Sequence, residues 1–186
     1  MRVICVRTGD KFDRWYEDNL KYMIDKYSGL QYDEFVVIRE EKYEGVYNKL
    51  LMFDKYRDGQ NIYFDLDVLI KGDCNSFVKK EFTVCWAHWR KEFHTRINSS
   101  IISWYGDVSY ISDMFFKKNE YNLIKYDRGI DQFIYENINY KIFTDPNTYC
   151  SYQTEKNHTD SQVYLFNQSH LEMKKPGWYQ KYLLHD

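Results

Sequence analysis

Three short apolar runs, separated by two stretches of helical spacing, occupy the first 67 residues and leave few folds open. Val3-Ile4-Cys5-Val6 is continuous and apolar, as in a strand covered on both faces. Thr8-Gly9-Asp10 ends it. Phe12, Trp15, Tyr16, Leu20, Met23, Ile24 and Tyr27 then recur at three- and four-residue intervals and predict a helix, which Ser28-Gly29 stops. Phe35-Val36-Val37-Ile38 is the second run. Tyr47, Leu50, Leu51 and Met52 predict a second helix that stops near Gly59. Ile62-Tyr63-Phe64 is the third run and leads into Asp65-Leu66-Asp67. This β-α-β-α-β order predicts parallel strands with helices against both faces of the sheet. Ligands of such sheets bind beyond the carboxyl ends of the strands. Two of the three strand ends carry polar clusters, Thr8-Gly9-Asp10 and Asp65-Leu66-Asp67, and that coincidence locates a candidate site.

The second half is more mixed. Phe82 to Trp86 and Ile97 to Trp104 read as strands, Ser109 to Asn122 and Ile130 to Ile138 as helices, and Tyr140 to Phe143 and Gln162 to Phe166 as late strands. A chain of 186 residues with 44% hydrophobic residues suffices for one α/β domain with a full core over 1–186, with 151–186 as its least regular part. The formal net charge of −2 gives no electrostatic reason to expect nucleic acid as a partner. No apolar run approaches the length of a membrane span, and no leader-like stretch precedes the first strand. Cys5, Cys74, Cys85 and Cys150 form no C-x-x-C pair, and Cys5 and Cys85 sit in apolar runs as buried thiols do. A reduced, cytoplasmic protein is the expectation.

Asp65 and Asp67 are the sharpest chemical signal. Alternation along a strand puts positions i and i+2 on one face while Leu66 points away. Two adjacent carboxylates repel, and a hard divalent cation bound through oxygen relieves this and keeps positions open for a diphosphate. The alternative is a solvated loop or a helix cap.

With the acid pair in third-strand position, the chain resembles glycosyltransferase family 8, the glycogenin-like group with a GT-A fold. Five landmarks agree in order. Val3 to Phe12 resembles the first strand and donor-binding turn. Tyr47-Asn48-Lys49-Leu50 resembles the helix carrying a lysine, and Asn61 to Leu69 the metal strand. Ile97 to Ile102 resembles the F-N-S-G strand, and Gly129-Ile130-Asp131-Gln132 the G-G-D-Q turn. The match covers roughly residues 1–150. The resemblance implies a GT-A (Rossmann-like) mixed sheet and transfer of a sugar from a nucleotide-diphosphate donor, a UDP-sugar in this family, with retention at the anomeric carbon. It implies Mn²⁺ or Mg²⁺ as cofactor. Val6, Thr8, Gly9 and Phe12 would hold base and ribose. Lys49 would approach the phosphates or the sugar, and Asn98, Asp131 and Gln132 would line the sugar pocket. Each of the last group has a plainer reading: Lys49 as a surface lysine, Asn98 as a turn cap, Asp131 as a helix cap. Ser100 stands where the family has glycine. Arg128 intervenes where the family often has an aspartate just before its D-Q, and Asp127 lies one place further off.

His170-Leu171-Glu172-Met173-Lys174-Lys175-Pro176 resembles the family's closing histidine, glycine and Lys-Pro pair with one residue deleted and Met173 in place of glycine. His170 is the candidate third metal ligand. Lys174 or Lys175 is the candidate contact to the diphosphate, and 151–186 a candidate lid. A surface histidine in a polar tail is the alternative. His88 and His94 fit no metal-binding spacing and read as structural or acceptor-side. No P-loop, G-x-G-x-x-G or G-x-S-x-G is present, against kinase, dehydrogenase and hydrolase chemistry. A nucleotidyltransferase, which would show a glycine-rich basic loop after the first strand, and a non-catalytic sugar- or nucleotide-binding module are the rival functions. The acceptor, whether glycan, protein or small molecule, is not encoded in any motif.

Overall fold

A computed structural model describes residues 1–90, 95–145, 148–154 and 160–185. His94 lies outside them. The first three strands are β1 (Arg2–Val6), β2 (Glu34–Ile38) and β3 (Gln60–Phe64). They pair in parallel with β1 in the middle. The two crossovers are the helix α1 (Arg14–Tyr27) and a 3₁₀ turn (Gly45–Leu50) running into α2 (Leu51–Lys55). Asp13 caps α1 by accepting the Trp15 N–H, an ordinary role for aspartate that leaves Thr8-Gly9-Asp10 free as a loop. The second predicted helix therefore exists, but its first turn is 3₁₀.

The sheet then turns mixed. The strand β4 (Val68–Ile70) leaves the main sheet, and β5 (Thr83–Trp86) and β6 (Ile97–Tyr105) return to it. β6 lies antiparallel to both β3 and β5. The last strand of the large sheet, β7 (Lys141–Ile142), runs parallel to β5, which gives the order β2-β1-β3-β6-β5-β7. A second sheet, ordered β4-β9-β8, joins β4 to β8 (Tyr149–Ser151) and β9 (Val163–Leu165). The segment read as one helix over Ser109 to Asn122 is two, α3 (Tyr110–Phe116) and α4 (Asn119–Lys125), broken at Lys117-Lys118. α5 (Ile130–Asn137) follows.

Side-chain alternation divides the core into two layers. Val3, Cys5, Ile62 and Phe64 point to a layer shared with α1 and the small sheet. Ile4, Val36, Ile38 and Tyr63 point to a layer shared with α2, α3 and α5. Both faces of the sheet are thus covered, which is why Val3 to Cys5 of β1 and Ile62 to Phe64 of β3 are buried on either side. The four cysteines are buried. Among the described residues no helix is long and apolar enough to cross a membrane.

Candidate functional site

A cleft of about 380 Å³ opens at the carboxyl ends of β1 and β3. Val6 ends β1, and Thr8, Gly9 and Phe12 belong to the loop that follows; all four line the cleft. Gly9 has φ +63°, a left-handed conformation that residues with a Cβ adopt at a cost, so the sharp departure of the chain from β1 depends on it. Asn48, at the crossover between β2 and α2, accepts the Lys42 and Tyr43 N–H groups and reaches Thr8 Oγ1 at 3.5 Å. It fixes the loop before the 3₁₀ turn, and the turn in its place presents Lys49 to the cleft.

β3 stops before the acid pair. Asp65, Leu66 and Asp67 form the link between β3 and β4, so the carboxylates lie beyond the strand rather than on it. The expected division of faces persists all the same: Asp65 and Asp67 line the cleft, and Leu66 packs into the core at 2% exposure. Backbone bonds hold the link from both sides. Asp65 N–H donates to Ser100 O at 2.8 Å, and Phe166 N–H, at the end of β9, donates to Asp67 O at 2.9 Å.

The two carboxylates are electrostatically unequal. Lys49 Nζ lies 2.7 Å from Asp65 Oδ1 and also donates to Ser99 O at 3.2 Å. The Tyr63 hydroxyl donates to the same carboxylate. Burial opposes ionisation of Asp65, but the Lys49 charge and the hydrogen bonds from Lys49, Tyr63 and Ser100 outweigh it and hold its pKa below the ordinary value. Asp67 has no such partner among the described residues. Burial, and then the Asp65 charge, push it up to about 6 against the opposing fields of Lys11 and Lys49.

The far wall of the cleft is made by β6 and the start of α5. Between Val84 and Cys85 the β5–β6 register jumps, so that Cys85 faces Asn98 while Val84 faces Ile102. Ser99, Ser100 and Ile101 have no partner on β5, and this bulge turns Asn98, Ser99 and Ser100 into the cleft. Asn98 both caps the bulge, by accepting the Ser100 N–H at 2.9 Å, and lines the cleft. Asp131 is not the helix cap. Gly129 holds that place with φ +107°, and the Asp131 carboxylate instead accepts the Ser99 N–H at 3.0 Å and pairs with Arg90 Nη2 at 3.0 Å.

Nine residues expected at the site meet in this cleft: Val6, Thr8, Gly9, Phe12, Lys49, Asp65, Asp67, Asn98 and Asp131. Three others lie off its walls. Gln132 donates to Glu136 Oε1 at 2.7 Å and faces an adjoining cavity. Lys175 pairs with Glu172 at the surface. His170 sits behind Phe12, ring centroids 5.2 Å apart, with its carbonyl accepting the Tyr16 hydroxyl at 3.0 Å. Sequence reasoning passed over Arg90, Asn167 and Tyr63. Asn167, 69 positions from Asn98, accepts its amide N–H at 3.4 Å and the Ser100 hydroxyl at 3.2 Å. No local pattern signals so distant a contact, nor that of Arg90 with Asp131. Tyr63 was accessible, since the alternation that pairs Asp65 with Asp67 also puts Tyr63 on the face of Asp65.

A buried carboxylate and a half-buried one beside it, the first held protonated to an unusually high pH by burial and then by the charge of the second, are a donor set that a hard divalent cation suits in kind. His170 adds an imidazole whose Nδ1 is buried without a hydrogen-bond partner. Among the described residues no three such side chains converge as they stand.

No family model matches this sequence, and no curated protein matches it. Solved structures do. A glycosyltransferase involved in glycosylation of the major capsid of PBCV-1 is similar at 13% identity and TM-score 0.69, over 94% of this chain and 99% of that one. The glycosyltransferase GlyE of Streptococcus pneumoniae TIGR4 is similar at 12% identity and TM-score 0.65; this chain is covered in full but spans only 60% of GlyE. The galactosyltransferase LgtC, in complex with donor and acceptor sugar analogs, is similar at 10% identity and TM-score 0.59, over 89% of this chain and 87% of LgtC. Likeness at such identities establishes the fold, a GT-A mixed sheet with helices on both faces.

Proposed function

We propose that this chain is a metal-dependent glycosyltransferase that moves a sugar from a nucleotide-diphosphate donor, a UDP-sugar, to an acceptor hydroxyl with retention at the anomeric carbon. The observation that carries this reading is the meeting of Asp65, Asp67 and Lys49 with the loop after β1 in one cleft at the strand ends. A phosphate-bearing nucleotide fits such a place. The fold shared with glycosyltransferases supports it, as does LgtC, a protein of that fold seen with donor and acceptor sugar analogs.

In this reading Val6, Thr8, Gly9 and Phe12 hold base and ribose. Asp65 and Asp67 hold Mn²⁺ or Mg²⁺, with His170 as a third ligand after a local rearrangement. The cation, when bound, neutralises charge growing on the departing diphosphate. Lys49 stays on Asp65 and adds positive charge on the phosphate side, and Lys175 closes over the diphosphate from the C-terminal segment. Asn98 and Asp131 fix the sugar, and Gln132 orients it from the neighbouring cavity. The acceptor oxygen bonds to the anomeric carbon on the face the diphosphate leaves. The C–O bond to the diphosphate breaks, and the hydroxyl proton passes to a diphosphate oxygen. We place the protein in the cytoplasm, where its four thiols stay reduced.

A panel of nucleotide sugars with Mn²⁺, read by nucleoside diphosphate release and by thermal shift, tests the reading. Release from a UDP-sugar that ends on adding EDTA is expected. Pyrophosphate release from a nucleoside triphosphate and sugar phosphate would favour a nucleotidyltransferase, and nucleotide binding without turnover a binding module. Proton NMR of the product's anomeric signal checks retention.

A further inference from the structure

Beside the cleft lies a second cavity of about 300 Å³. The two share a wall made by Arg90, Arg128, Gly129, Asp131, Asn167 and Gln168. A molecule in the second cavity therefore abuts whatever fills the first. Its remaining lining is distinctive. Trp89 is half-buried, with the His88 and Tyr149 rings at 82° and 84° to it and no described ring stacked parallel on it. Gln132 and Gln153 supply amides, and Ser151 and Thr154 hydroxyls. An indole surrounded by neutral hydrogen-bonding groups matches a pyranose ring, which offers C–H bonds on its faces and hydroxyls at its edge.

Among the described residues the charges of this cavity do not cancel. Asp131 neutralises Arg90 across 3.0 Å. Arg128 is exposed and forms no ion pair among the described residues. Among the described residues that line this cavity, one guanidinium is thus left over, the group best shaped to grip a carboxylate or phosphate through two hydrogen bonds.

We infer that the second cavity is the acceptor subsite and that it takes an acidic saccharide, a sugar bearing a carboxylate or phosphate group, stacked on Trp89 with its anionic group on Arg128. The inference rests on the glycosyltransferase reading for the word acceptor, but the binding itself is independent of it.

The test is binding of the labelled 186-residue chain, with UDP and Mn²⁺, to an array of neutral, uronate-bearing and phosphate-bearing glycans. Acidic glycans should bind at least tenfold better than their neutral counterparts. Trp89→Ala should lose binding to all of them by about tenfold or more, with a UDP-induced thermal shift as the check that the variant is folded. Arg128→Gln, at an exposed position, should keep the neutral signals and lose the acidic preference. Equal binding of neutral and acidic glycans by the unaltered chain overturns the inference, and so does acidic binding indifferent to both substitutions. Absence of all glycan binding, with the UDP shift present, overturns it too and leaves the transferase reading standing. Glycan binding that follows the expected pattern without any nucleotide shift would instead leave the saccharide site standing and remove the transferase reading.

Discussion

Asp65 and Asp67 differ by two positions in sequence, yet one is held ionised by Lys49 and the other is left to repel it. That inequality has a measurable consequence in metal-free protein. Asp67 has a folded pKa of about 6, above its unfolded value. Its contribution to stability is therefore full below about pH 4 and is lost as pH rises through about 6. Asp65, shifted the other way, contributes above its ordinary value and loses this only at lower pH. In EDTA at pH 7.5, Asp67→Asn should thus be more stable than the natural chain, by on the order of 2–3 kcal/mol, and the advantage should vanish near pH 4. Urea midpoints at the two pH values measure it, and an advantage of equal size at both would refute the assignment of charge. The same substitution, and Asp65→Asn, should lower sugar transfer by more than about 100-fold, since each removes a ligand charge while keeping shape. A residue that weakens the fold at neutral pH and whose loss ends activity marks a site held in place for chemistry. Much of this was legible beforehand. The acid pair, Lys49 and Asn98 stand in local patterns, whereas the Arg90 contact to Asp131 and the Asn167 contacts join parts of the chain that only the fold brings near.

At the scale of elements, the strands and helices with long apolar patterns are the ones the sequence discloses. β1, α1, β2, β3, β6 and α5 fall where their periodicity puts them. Of the small sheet only β9 was read as a strand; β4 follows the acid pair without a turn residue between Asp67 and Val68, and β8 holds a single aliphatic-free run, Tyr149-Cys150-Ser151, so neither stood out. The Lys117-Lys118 break carries neither proline nor glycine, so the pattern over 109–122 read as continuous. The turn before α5 shows what an element boundary does for the site. Gly129 has φ +107° and ψ −166°, a region open to glycine alone, and it aims Asp131 at Ser99 and Arg90. A Cβ there would also meet Val46 Cγ2 at 3.4 Å. Gly129→Ala should cost about 1–3 kcal/mol in chemical denaturation. It should raise the KM for the donor sugar more than the Kd for UDP, because Asp131 is placed to meet the sugar. Gln132, one residue on, turns to Glu136 and the second cavity. Gln132→Ala should accordingly slow transfer and leave UDP affinity intact, as titration calorimetry would show.

The whole molecule joins these parts through the C-terminal segment, which crosses from β9 over the end of α1. It leaves β9 at Phe166, whose N–H holds Asp67, passes the cleft at Asn167 and Gln168, and then docks. The docking is apolar and firm: Met173, Tyr179 and Leu183 are buried, and Leu184 N–H donates to Asn19 Oδ1 at 2.8 Å. Between cleft and anchor, the stretch 167–172 is held by hydrogen bonds, among them those of Asn167 and of the His170 carbonyl, rather than by buried apolar side chains. Gln168 is the only described residue other than glycine with positive φ, at +60°, a conformation that costs a side chain about 1 kcal/mol or more. His170 Nδ1 lacks a partner, and Leu171 is 62% exposed. A segment strained at one end and anchored at the other can move without unfolding the domain, which is what closure over a diphosphate requires. Hydrogen exchange should therefore divide the segment in two. With UDP and Mn²⁺, protection should rise over 167–172, where His170 would turn toward the acid pair. It should stay unchanged over 179–184, where Tyr179 and Leu183 already hold the chain to α1 and the small sheet. UDP without the cation should give the smaller response, because the carboxylates repel both each other and the phosphates. Uniform protection of 167–184 would mean the whole segment folds onto the donor from a loose state, and no change despite measured UDP binding would make it a fixed strap with His170 outside the chemistry.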